Sequence, residues 1–206
     1  MKIAVLGGTG TFGRALAARF HDLGHEVAIG SRDPERAQQQ AAVIGVGGGA
    51  NADVAADAEF VVLSTASGAA IDTARELKSA IGATPVLCVA SDLRFTKEGV
   101  LPGRSQGSVA EDVAALLDGP VASGYQSLSA AHLAHPERLD QDVLVCGDEP
   151  AAKDPALELG AQLVSGRAID AGPLANSRAL EGMTAVILHV NRRYRVVAGL
   201  RLTGLP

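Results

Sequence analysis

Ile3-Ala4-Val5-Leu6-Gly7-Gly8-Thr9-Gly10-Thr11-Phe12-Gly13 follows Met1-Lys2 at the start of the chain. The first four residues are an apolar run of strand length. Arg14 to Leu23 carries helical spacing, with Leu16, Phe20 and Leu23 on one face. Between the two, Gly8-Thr9-Gly10-Thr11-Phe12-Gly13 fits the dinucleotide-binding pattern, in the strand–turn–helix context that the pattern requires. In that reading Gly8 makes the tight turn, Gly10 lets the backbone approach a pyrophosphate, and Gly13 lets helix and strand pack closely. The free N–H groups at the helix start face the anion. The bland alternative is a glycine-rich structural turn.

Outward from this turn, apolar strands alternate with helices. Glu26 to Gly30 reads as a second strand, and Pro34 to Ala42 as a helix with proline in its first turn. Val43 to Ala50 is glycine-rich and has room for one short strand. Phe60 to Leu63 and Pro85 to Val89 are further strands, with a helix from Ala69 to Ile81 between them. Ser91 to Gly107 breaks the rhythm and reads as a long loop; loops of that length in compact domains are usually functional or disordered. Helix Val109 to Leu117, strands Pro120 to Gln126 and Gln141 to Gly147, helix Ala151 to Leu163 and helix Asn176 to Tyr194 complete the pattern. This alternation predicts an α/β fold, a Rossmann-like doubly wound parallel sheet with a small C-terminal α/β lobe. The expected division is 1–119 for nucleotide binding and 120–206 for substrate binding and dimerisation.

Composition narrows the function. The 206 residues are 47% hydrophobic and 20% charged, enough to bury a core and unlike a disordered chain. Aromatics are 3% and Trp is absent, so base-stacking nucleic-acid modules are disfavoured. A net charge of −5 argues against a general polyanion binder. Cys88 and Cys146 match no metal or redox spacing. The N-terminal apolar run is too short for a signal peptide or a membrane helix, so a cytoplasmic protein without a membrane partner is expected.

The second strand selects the nucleotide. NAD binders usually end it with a carboxylate that holds the ribose 2′-OH. Here it ends Ile29-Gly30-Ser31-Arg32. Ser31 can donate to a 2′-phosphate, Arg32 can pair with it through its planar fork, and Arg36 lies one turn on. NADP is therefore favoured over NAD. The alternative is that both arginines are surface charges beside Asp33 and Glu35.

Absences matter too. No Tyr-x-x-x-Lys pair exists, because the fourth residue after Tyr125 is Ser129 and after Tyr194 is Ala198. Lys153 is the one late lysine, and His132 and His135 read as solvent-facing rather than as metal ligands. No catalytic acid, base or nucleophile is assigned and no metal site is expected. The deficit favours hydride transfer between two bound cofactors, with the protein supplying orientation. The C-terminal helix ends in Arg192, Arg193 and Arg195, with Arg201 beyond and no acid after Glu181. This is either a match to the helix dipole or a local anion site.

Taken together, Gly7 to Gly13, Gly30-Ser31-Arg32, Ala70-Ile71-Asp72-Thr73-Ala74-Arg75, Val145-Cys146-Gly147-Asp148 and Asp170-Ala171-Gly172-Pro173-Leu174-Ala175-Asn176-Ser177-Arg178 resemble the NADPH-dependent reductases of coenzyme F420, the F420H2:NADP oxidoreductases. The likeness runs in order along nearly the whole chain. It implies an NADP(H)-binding Rossmann domain, coenzyme F420 as a small-molecule co-substrate, direct hydride exchange between nicotinamide and deazaflavin, and a homodimer. It maps pyrophosphate contacts to Thr9, Gly10, Thr11 and Phe12, and 2′-phosphate contacts to Ser31, Arg32 and Arg36. Thr65 and Ala130 map to the nicotinamide half, and Gln126, Ser127, Pro173 and Leu174 to the second substrate. Thr65-Ala66-Ser67 stands where relatives carry proline and tryptophan, and Gln126-Ser127 where they carry His or Asn before Thr. Those departures keep other acceptors open: a flavin, an imine or another small electrophile. A non-catalytic NADP-sensing module is a further alternative.

Overall fold

The structure is a computed structural model that describes residues 1–135 and 137–205. In chain order the elements are β1 (Lys2–Leu6), α1 (Thr11–Asp22), β2 (Glu26–Ser31), α2 (Pro34–Ile44), β3 (Gly47–Ala50), α3 (Asn51–Ala56) and β4 (Phe60–Leu63). Then come α4 (Ser67–Ile81), β5 (Val86–Cys88), β6 (Leu93–Phe95), β7 (Val100–Pro102), α5 (Val109–Ala114), β8 (Val121–Gly124) and α6 (Ala130–Leu133). The chain ends with β9 (Val143–Gly147), α7 (Pro150–Leu163), β10 (Ala168–Asp170), a 3-10 turn (Leu174–Asn176) and α8 (Ser177–Tyr194).

Eight strands form one sheet in the order β10-β9-β8-β5-β4-β1-β2-β3. Pairing is parallel throughout except between β8 and β9, which run antiparallel. The doubly wound sheet is thus mostly parallel, and its C-terminal part continues the same sheet through the β5–β8 pair.

Alternation along the strands builds two cores. In β1, Ile3 and Val5 face one layer with Leu16 and Phe20 of α1 and Leu159 of α7. Ala4 and Leu6 face the other, with Ala70 and Ala74 of α4 and Val113 of α5. A side-chain period of two therefore covers both faces with helices, which is why β4 reads as an unbroken apolar run. Local signals set the helix ends. Asp33 accepts the Arg36 amide at 3.0 Å, Pro34 occupies the first turn of α2, and Gly45 closes it at φ 73°. A cap of that kind is worth about 1 kcal/mol.

Three segments differ from the sequence reading. Ser91 to Gly107 is not a structureless loop: β6 and β7 pair as an antiparallel hairpin that packs on α8. Asn51–Ala56 forms α3, and Ala130–Leu133 forms α6. Strand β8 ends at Gly124 rather than Gln126, because Tyr125 turns to φ 73°. Its buried ring is fixed by a 2.5 Å hydrogen bond from the hydroxyl to the Ala156 carbonyl oxygen.

Candidate functional site

The chain runs from β1 outward to β2 and β3, then returns to β4 on the other side of β1. A crevice forms at such a reversal, beyond the carboxyl ends of the strands. Here it lies between Gly7, after β1, and Thr65, after β4. Gly7 holds φ 78°, and a Cβ there would lie 2.6 Å from Thr65 Cγ2 and 2.9 Å from Thr65 N. The two strand ends therefore touch through bare backbone.

Helix α1 starts at this point. Gly10 is its N-cap, no side chain caps it, and no acid stands in its first turn. The amides of Thr11, Phe12 and Gly13 are first-turn donors, which helix geometry leaves without intrahelical acceptors. Together with the helix dipole they favour an anion at that position. Gly13 lies against Ser64, whose hydroxyl donates to the Leu6 carbonyl at 2.8 Å. Phe12 turns partly inward onto the core.

A cleft of about 230 Å³ joins this turn to the end of β2. Gly7, Thr9, Ser31, Arg32, Arg36 and Thr65 all border it. Arg32 and Arg36 are exposed and make no ion pair among the described residues, so both guanidinium groups are available to an anion. Asp33, beside them, is engaged as the α2 cap, and its own amide donates to Ser31 Oγ at 3.1 Å. The cleft also holds two buried polar atoms without a protein partner, Thr65 Oγ1 and Asn51 Oδ1. Buried polar groups normally find a partner. A polar ligand in this cleft would supply one, so the residues present fit a phosphorylated nucleotide.

Ala130 stands across from Thr11 in a neighbouring groove between α1 and α6, about 290 Å³ in volume. Gln126 and Ser127 follow β8 and are almost fully buried. They border a void of about 10 Å³ with Leu144, Leu180, Met183 and Leu200, so α8 and the C-terminal segment cover them. Gln126 Nε2 donates to Ser123 Oγ at 2.8 Å, while Gln126 Oε1 and Ser127 Oγ have no partner. Pro173 and Leu174 are not walls of that void. Pro173 is exposed, and Leu174 is buried in the second core layer with its amide bonded to Asp148 Oδ1 at 3.0 Å.

Helix α8 closes the acceptor end of the crevice. Thr184 Oγ1 donates to the Gln126 carbonyl at 3.1 Å and lies 2.9 Å from Ser91 Oγ, after β5. Glu181, one turn earlier, is buried against α5. Asn51, Ser91, Glu181 and Thr184 were not among the residues singled out as site candidates from the sequence. Glu181 alone left a trace there, as the last acid before a basic C-terminus. Of the basic groups flanking this end, Arg104 is paired with Asp92 and Asp112 and Arg201 with Asp140. Arg94, Lys97, Arg192, Arg193 and Arg195 are exposed and make no ion pair among the described residues.

Comparison with known proteins agrees with this geometry. Residues 2–90 match the family model described as NADP oxidoreductase, coenzyme F420-dependent. The chain is 35% identical over 227 aligned positions to the F420-dependent NADP reductase of Methanothermobacter thermautotrophicus, covering 100% of this chain and 96% of that protein. It is 33% identical to the F420-dependent NADP reductase of Methanocaldococcus jannaschii, covering 100% and 99%. A crystal structure of a candidate F420-dependent NADP-reductase from Arthrobacter sp. FB24 superposes with a TM-score of 0.88 at 28% identity, covering 99% of this chain and 100% of the other. Identity at this level along its whole length means that the chain belongs to the family of F420-dependent NADP reductases.

Proposed function

We propose that this protein is an NADP-dependent oxidoreductase that passes a hydride between NADP(H) and the deazaflavin coenzyme F420. The observation that carries the reading is one cleft. It holds the glycine turn at one end and two unpaired guanidinium groups at the other, with Ser31 where an NAD binder would end β2 on a carboxylate. The full-length match to F420-dependent NADP reductases supplies the second substrate.

When bound, NADP(H) and F420 supply the carbon centres between which the hydride moves. The chain's own part is to bind and orient. The first-turn amides of α1 hold the pyrophosphate, and Thr9 and Thr65 border the path toward the nicotinamide. Ser31, Arg32 and Arg36 take the 2′-phosphate. Ala130, Gln126 and Ser127 belong to the acceptor half, with Pro173 and Leu174 supporting the segment that leads into α8. Residues 1–119 form the nucleotide half and 120–206 the acceptor half. Rate enhancement then rests on holding two reactants in a productive geometry rather than on an acid or base.

The protein works as a homodimer in the cytoplasm. Exposed Phe95 and Leu101 on the hairpin, with Val186 and Tyr194 on α8, support the dimer. Two buried free thiols fit a reducing compartment.

The test mixes protein and NADPH with F420, a free flavin or a cyclic imine, and follows NADPH absorbance. Rapid oxidation with F420 is expected. Turnover only with the flavin or imine would reassign the acceptor, and none with any of them would favour a sensing module.

A further inference from the structure

Helix α8 lies on the crevice along a polar stripe, Ser177, Glu181 and Thr184, spaced by one turn each. Ser177 Oγ is 2.6 Å from Ser108 Oγ, the N-cap of α5. Glu181 Oε1 accepts the amide of Val109 at 2.8 Å and that of Ala110 at 3.3 Å, and the Asp92 amide also donates to this carboxyl. Thr184 then ties the ends of β5 and β8 through Ser91 and Gln126. Glu181 is therefore the joint between the helix and three backbone segments, one turn from the groups that border the acceptor end.

Its charge state matters because it is 3% exposed and no cation pairs with it among the described residues. Arg104 offers a weaker, longer-range attraction, and its guanidinium is already taken up by Asp92 and Asp112. An ionised carboxylate in such a place loses more hydration than three amides restore. Water around an undocked helix would solvate it fully.

We propose that Glu181 is an ionisable latch for α8: protonated, it lets the helix dock over the acceptor end of the crevice, and ionised, it loosens that docking. Burial pushes its carboxyl up to about 7, so the change falls in the neutral range. The neighbours that face it do not share that range. Cys88 on β5 and Cys146 on β9 are pushed up to about 12 by burial, and Arg104 is raised further by Asp112 and Asp92. Asp92 and Asp112 are bound to Arg104, and Glu111 accepts from Ser108. His189, two turns on along α8 and beside Gly99, is the one imidazole to control for.

The consequence for the reaction rests on the F420 reading above, so the test has an arm that does not depend on it. In the NMR spectrum of the intact protein, the Val109 and Ala110 amides should titrate with a midpoint at about 7. The titration should vanish in Glu181→Gln, a neutral isostere, and persist in His189→Gln. No titration in the unmodified protein, its survival in Glu181→Gln, or its loss in His189→Gln would each overturn the latch. If Glu181→Gln does not fold, the unmodified protein and His189→Gln carry this arm. In the activity arm, the KM for F420 should rise about three- to tenfold as pH increases through the same midpoint, the range expected for a weakened hydrogen-bonded contact. NADPH affinity should not change. A pH-independent KM for F420, or the same rise in Glu181→Gln, would overturn the link to the acceptor. Amide titration without F420 turnover would retire the functional reading and leave the latch standing.

Discussion

Gly8 and Ile29 pack so closely that a Cβ on Gly8 would stand 2.5 Å from the Ile29 Cβ and 2.8 Å from the Val5 carbonyl oxygen. The first glycine of the turn is thus fixed by contact with the neighbouring strand as well as by turn geometry. Gly8→Ala should force β1 and β2 apart at the point where they carry the cleft. Overpacking of a tight core costs roughly 1–3 kcal/mol. Denaturant unfolding should show that loss, and NADPH titration should show weaker binding from a displaced turn. Unchanged stability and affinity would mean that the contact relaxes without cost.

Arg32 and Arg36 border the cleft with no competing partner, so their charge is available to a 2′-phosphate. A charge-assisted hydrogen bond is worth roughly 1.5–3 kcal/mol, or about ten- to a hundredfold in affinity. NADPH should therefore bind well ahead of NADH, and Arg32→Ala should erase much of the difference. Calorimetric dissociation constants for both nucleotides check this. Equal values in the unmodified protein would sink the NADP assignment.

Glu181 also couples stability to pH. Its folded pKa is about 7, above the unfolded value of 4.5, so the folded state holds the proton more tightly. Its contribution is fully present below pH 4.5 and is lost as pH rises through about 7. The loss is on the order of 3 kcal/mol. Urea midpoints should fall across that interval in the unmodified protein and stay level for this group in Glu181→Gln. A midpoint that rises from acid toward neutral pH in both proteins would contradict the sign.

What the sequence disclosed divides along the line between local and long-range causes. Ile3 to Leu6 and Phe60 to Leu63 are legible as buried strands because both faces of each are apolar. The glycine turn is legible because its spacing is local. Strand β3 is hidden because glycine lacks strand propensity. It stands because Gly48 lies against α2, where a Cβ would come within 2.7 Å of the Ala37 carbonyl. The hairpin of β6 and β7 is hidden because each strand has three residues, flanked by glycine and proline, and its packing on α8 is long-range. The nucleotide side of the cleft follows from adjacent residues. Asn51, Ser91 and Thr184 reach the crevice only through strand order and the path of α8, which no local spacing encodes.

Asp142 fastens the C-terminal segment to the start of β9. Its carboxylate receives the Arg167 amide and guanidinium, each at 2.9 Å, and the Leu202 amide at 2.8 Å. Leu200, carried on the same segment, closes the void beside Gln126 and Ser127. The Arg167 hydrogen bonds hold the Asp142 carboxyl down at about 2, below its ordinary 3.8. That stability is present above pH 3.8 and is lost as pH falls through about 2. Asp142→Ala leaves a guanidinium and two amides without their acceptor, a change that costs about 3–5 kcal/mol at a buried pair. Thermal unfolding at neutral pH should show the loss, with faster proteolysis after residue 195. A variant as stable as the parent would show that the segment is held elsewhere.

The acceptor carries a phosphate and an acidic tail in the F420 reading, and the chain's net charge of −5 opposes such a ligand unless basic groups gather locally. Arg94 and Lys97 on the hairpin, and Arg192, Arg193 and Arg195 at the end of α8, are exposed and unpaired among the described residues. Arg104 and Arg201 are neutralised by carboxylates and should contribute little. Exposed charges are screened beyond a Debye length of about 10 Å at 0.1 M salt. The KM for F420 should therefore rise with added salt, while an acceptor that lacks the tail should be insensitive. Arg94→Ala with Lys97→Ala should flatten the salt response if the hairpin guides the tail, and Arg192→Ala with Arg193→Ala should flatten it if the helix end does. Loss of the response in one pair locates the tail. A response that survives both pairs, or a salt-independent KM in the unmodified protein, would mean that the cleft reads only the neutral ring, and would shift the acceptor toward a small uncharged electrophile.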